Sequence, residues 1–100
     1  MYRGTTPTFT FTLPFDGDGI TALNLCFVQQ GEILLEKDLD ACAVDGNVIS
    51  TALTEAETLL FDAQKGMVEM QLRIGCGGAR LASNIMRVSV ERILKDGLLV

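Results

Sequence analysis

Few residues in this chain could carry chemistry, and their spacing argues against a reacting centre. Histidine is absent, which removes the commonest general base and metal ligand and leaves no Ser/His or Cys/His nucleophile pair. Asp16-x-Asp18-Gly19 has the front of a calcium loop, but Ile20 stands where a third oxygen ligand belongs and Phe27 where the closing Glu belongs. Its chemistry is that of a turn. Gly75-x-Gly77-Gly78 would cradle an anion only ahead of a helix; a strand-like segment follows, so it reads as a hairpin turn. Asp38 and Asp40 are close enough to pair, yet they sit in an acidic connector and read as a solvated loop. Cys26, Cys42 and Cys76 are an odd number without a Cys-x-x-Cys pair, which suggests free thiols and neither a disulfide framework nor a zinc knuckle. An immunoglobulin-type bridge between Cys26 and Cys76 is the pairing that spacing would permit. No catalytic residue, cofactor site or metal site is expected, and the chain does not read as an enzyme.

The elements that would position these residues are strands. A length of 100 residues has room for one core. Thr8 to Leu13 alternates, with Phe9, Phe11 and Leu13 on one face and three threonines on the other, as a half-buried strand requires. Pro14 to Gly19 supplies turn chemistry, and Ile20 to Gln29 forms a second strand with Leu23, Leu25 and Phe27 inward. Gln30-Gly31 makes a hairpin to Glu32–Lys37, where Ile33 and Leu35 alternate against Leu34 and Glu36. Ala41 to Val44 then meets Asn47 to Leu53 across Asp45-Gly46, a tight-hairpin dipeptide.

At Thr54 the period changes. Thr54 with Glu57 three residues later is a capping box, so a helical turn is predicted here, with Leu60 and Phe61 packed inward. Met67 to Ile74 is a sixth strand, and a seventh runs from about Ala79 to Leu94 with a break near Asn84. The pattern describes an all-β protein: an immunoglobulin-like two-sheet sandwich of about seven strands, with one short helical turn between strands five and six. A small β-barrel is the alternative, because periodicity cannot count sheets. The domain spans residues 8–100, preceded by an arm of residues 1–7.

Charge narrows the partners. The net charge is −5, with two basic and ten acidic residues up to Asp62, and six basic and three acidic from Ala63 onward. Neither the total nor any Lys/Arg cluster supplies a track for nucleic acid phosphates. If the asymmetry survives folding, it favours head-to-tail contact between copies. No signal peptide or membrane span is read, so the chain is expected to be soluble and made in the cytoplasm.

The segment Arg3-Gly4-Thr5-Thr6-Pro7-Thr8 with the Phe/Thr strand, Leu53-Thr54-x-x-Glu57-Thr58-x-x-Phe61, Met70-Gln71-Leu72-Arg73 and Ala82-Ser83-Asn84 resembles a group of small proteins encoded by tailed bacteriophages and prophages of gut bacteria. This resemblance extends over most of the chain. Thr54-x-x-Glu57-Thr58-x-x-Phe61 is similar, over about half of the chain, to the immunoglobulin-like N-terminal module of phage baseplate upper proteins. The resemblance implies a virion component at the head surface, neck or tail, bound to other virion proteins and copies of itself; it implies no site residues. A soluble adaptor or inhibitor that binds a host protein is the alternative, and an enzyme or small-molecule binder is the third reading. The residues expected to make contacts are Tyr2, Arg3, Thr5, Thr6 and Pro7, as an arm that could add to a neighbour's sheet, and the apolar tail Leu98-Leu99-Val100. A leader held against its own domain is the other reading of the N-terminal segment.

Overall fold

The computed structural model describes residues 1–100. Eight strands form two antiparallel sheets: β1 (Thr8–Thr12), β2 (Ile20–Gln29), β3 (Glu32–Asp38), β4 (Ala43–Asp45), β5 (Val48–Ala52), β6 (Val68–Cys76), β7 (Ala79–Ala82) and β8 (Met86–Val88). The smaller sheet has the order β1-β5-β4 and the larger β3-β2-β6-β7, with β8 also paired to β6. No strand pairs across the two sheets, so the molecule is an all-β sandwich and not a barrel. One short helix, α1 (Glu55–Thr58), lies between the fifth and sixth strands, where the chain crosses from the small sheet to the large one.

The alternating residues fill the space between the sheets. Leu25, Phe27, Ile49, Leu53, Phe61 and Val68 are buried at its centre, with Met70, Leu72 and Ile74 lining the inner face of β6. Phe27 is the pivot: its ring meets Phe9 of the facing sheet edge-on at 5.7 Å and Phe61 at 5.9 Å, geometries that aromatic quadrupoles favour. The capping box at α1 is complete. Thr54 accepts the Glu57 N–H at 3.1 Å, and the Glu57 carboxylate accepts the Thr54 N–H at 2.8 Å.

Apart from a register shift against β6 between Ile20 and Ala22 at the start of β2, the structure departs from simple alternation at four places, each with a local cause. In β3 the register slips so that Leu35 pairs Phe27 while Ile33 pairs Val28, leaving Leu34 as the extra residue of a bulge. Leu34 and Leu35 therefore both reach the core, and Ile33, expected to share a face with Leu35, is 57% exposed. The β4–β5 turn sits one residue later than Asp45-Gly46: Asp45 pairs Val48, so the loop is Gly46-Asn47, with Gly46 alone at positive φ. Leu60 was expected inside with Phe61, but α1 ends before it and it is half exposed, while Phe61 is fully buried. The last strand breaks near Asn84, as expected, but ends at Val88 and not at Leu94; at the break Ser83 Oγ accepts the Leu72 N–H at 3.0 Å in place of a backbone carbonyl. Asn84 and Ile85 then stand opposite the single Gln71, as the Arg73–Ala82 and Met70–Met86 pairs require. The chain beyond Val88 forms no further strand apart from the Tyr2–Glu91 bridge.

Candidate interaction surfaces

The N-terminal segment lies along its own domain. Arg3 donates from Nε to the Phe61 carbonyl at 2.6 Å and from Nη2 to the Leu59 carbonyl at 3.1 Å, and its Nη1 pairs with Asp96. It thereby satisfies carbonyls that the short helix leaves open. Thr5 donates its N–H to the buried Thr58 hydroxyl at 3.1 Å, and that hydroxyl lies 3.1 Å from the Thr5 carbonyl in return. The Leu53 N–H donates to the Pro7 carbonyl at 2.9 Å. Tyr2 forms an isolated parallel bridge with Glu91, and the Met1 amino group reaches the Ser89 carbonyl and the Glu91 carboxylate. Of the two readings of residues 1–7, the structure shows the leader docked on its own domain: Arg3 and Thr5 are hydrogen-bonded internally, while Tyr2, Thr5 and Thr6 stay exposed.

Leu98, Leu99 and Val100 keep their apolar side chains in solvent, although the Leu99 N–H donates to the Glu55 carboxylate. Leader, α1 and tail thus meet at one end of the sandwich. Leu60, just after α1, is 51% exposed and Leu94, in the segment before the tail, is 92% exposed, two contact candidates that alternation and terminal position do not reveal. Their signal in the sequence is an apolar residue where the period has already broken.

A second surface lies between the sheets. Between the β1 edge and the β7–β8 edge the two sheets part, leaving an open slot of about 600 Å³ lined by Phe11, Phe15, Leu72, Leu81 and Met86, among others. The lining comes from residues some seventy positions apart in the sequence, which is why no local pattern announces it. The opposite side of the sandwich is bridged by the 3₁₀ turn Leu39–Ala41 that joins β3 to β4.

The remaining constellations are turns or solitary groups. Asp16 accepts the Asp18 N–H at 2.9 Å and caps a 3₁₀ turn at Gly17–Gly19; Asp38 accepts the Ala41 N–H at 3.1 Å and caps the next one. Gly77-Gly78 is the β6–β7 hairpin loop. All three cysteines are free. Cys26 and Cys76 do fall on the second and sixth strands, but these are neighbours in one sheet, with Cys76 opposite Ile20 and Cys26 opposite Gln71. Several residues of strand rise separate them, beyond the reach of a disulfide. Burial raises the pKa of Cys42 against a lowering hydrogen bond with Thr51, which disfavours its thiolate. Glu57 is the most connected carboxylate: burial alone would raise its pKa, and the hydrogen bonds from Lys37, at 2.6 and 2.8 Å, and from Thr54 outweigh that and lower it. No helix is long and apolar enough to cross a membrane, and no three His, Cys, Asp or Glu side chains converge as a metal site. No family model, curated protein or solved structure matches this chain.

Proposed function

We propose that this chain is a structural or assembly protein of a tailed bacteriophage particle, working without catalysis through protein–protein contacts. The observation that carries the reading is the exposure of Leu60, Leu94, Leu98 and Leu99, apolar side chains on the segments that follow α1 and lead into the tail. A domain with a filled core gains nothing by leaving such groups in water, and exposed apolar surface of this kind marks contact with another protein. The open slot beside β1 supports the same reading, because a sheet edge next to apolar side chains can accept an added strand.

The setting comes from the sequence resemblance: a virion component, made in the host cytoplasm and carried in the particle at its head surface, neck or tail. Its partners are other virion proteins and copies of itself. Quantitative mass spectrometry of gradient-purified particles, from cells that carry the gene, tests this. The expected result is a fixed stoichiometry to the major virion proteins. Abundance in the lysate with absence from the particles would overturn it and favour an adaptor that binds a host protein.

A further inference from the structure

The two flanks of the sandwich differ in closure and in charge. On the slot flank β1 and β7 each pair on one side only. Arg80 of β7 lies across Gly75, where its guanidinium occupies space that any Cβ would need. Arg73 is two residues along β6 from Gly75 and faces the same way. Neither arginine has a carboxylate partner, whereas Arg87 of β8 sits 3.4 Å from Glu69. β1 adds only threonines to the solvent side of this flank.

On the other flank the edges are β3 and β4. Glu32, Glu36 and Asp38 on β3, Asp40 in the connecting turn and Asp45 on β4 form no ion pair, and Lys37, the one cation there, is held by Glu57. Ile33 stands exposed among these carboxylates. The strand order thus places unpaired arginines of the second half of the sequence beside one flank and unpaired carboxylates of the first half on the other.

We propose that a second copy of this chain docks head to tail, the slot flank of one copy against the β3–β4 flank of the next. This rests on the assembly reading above and names the chain itself as a partner. The junction continues both sheets, β7 beside β3 and β1 beside β4, so that edge N–H and C=O groups of each copy find partners. Arg73 and Arg80 face the β3 carboxylates across it, and Ile33 adds apolar contact. Because the contact is heterologous, an open assembly keeps one free flank of each kind at its two ends, and addition proceeds there into a filament or until a ring closes.

Sedimentation velocity of the purified chain tests the contact apart from any particle. The expected result is a mass that rises with protein concentration and falls as salt is added, since complementary exposed charges are screened. An Arg73→Glu, Arg80→Glu variant and a Glu32→Lys, Glu36→Lys, Asp40→Lys variant should each stay monomeric, and an equimolar mixture of the two should associate again. A wild-type chain that is monomeric up to millimolar concentration at low salt would overturn the proposal. So would variants that associate as the wild type does, or a mixture that fails to recover. The wild-type salt series stands even if a variant does not fold, and a fixed stoichiometry in particles would survive its failure.

Discussion

Glu57 joins three elements through one side chain. It closes the capping box of α1 with Thr54 and holds Lys37 of β3, so the helical turn is fastened to an edge strand. Because Glu57 titrates lower in the folded state than its ordinary value, its contribution is present above the unfolded carboxylate range, near pH 4.3. It is lost as pH falls through the folded value. Glu57→Gln keeps a capping side chain but not the charge. The difference in urea midpoint between wild type and this variant should be present at pH 7 and shrink as pH drops below about 4; a difference independent of pH would show that the charge contributes nothing. Thr54→Ala should cost about 1 kcal/mol in the same assay, as loss of an N-cap does. Free, separated thiols carry a simpler expectation: the melting temperature should be the same with and without reductant, and a drop on reduction would reveal a bridge.

Among the elements, the strands are the part the sequence makes legible. A strand that buries one face must alternate, and β1, β2 and β6 do so at Phe9-Phe11-Leu13, Leu23-Leu25-Phe27 and Val68-Met70-Leu72-Ile74. Alternation says nothing about where a ladder takes an extra residue, and so the exposure of Ile33 could not be placed, whereas Asn84 does mark the break between β7 and β8. Nor does it describe segments held by polar groups. Gln29 is nearly fully buried at the end of β2, donating to the Asp62 and Gly66 carbonyls at 2.7 and 3.0 Å and accepting the Asp62 N–H at 2.9 Å. It clamps the loop between α1 and β6, and Gln29→Leu should destabilise the domain by about 1–3 kcal/mol as those groups lose their partner. The docked leader belongs to the same class. Removing residues 1–7 should lower stability, because Arg3 and Thr5 complete the α1 region. Arg3→Ala alone should cost about 1–3 kcal/mol in urea unfolding. A truncated chain as stable as the full one would mean that the leader is held too weakly to matter and is free to act as an arm.

At the scale of the whole molecule, the sandwich is a carrier for surfaces. The fold class was readable because strand spacing and one helical turn between the fifth and sixth strands constrain it strongly. The surfaces were readable only at the termini, where Leu98, Leu99 and Val100 stand apart from any period. The slot, the two charged flanks and the end gathered around α1 all arise from pairings distant in sequence, β1 against β7 and leader against helix. They become visible only when the strand order is known. That order is also what sets Arg73 and Arg80 apart from the carboxylates of β3 and β4.

The claim that this chain works by stoichiometric contact is tested most directly by light scattering of the purified protein, alone and mixed with the virion proteins proposed as its partners. The account expects a complex of defined mass with at least one of them, weakened when Leu94, Leu98 and Leu99 are replaced by Ser, while the domain stays folded. A lone monomer of the chain mass, 10.8 kDa, that leaves every virion protein unbound would contradict it.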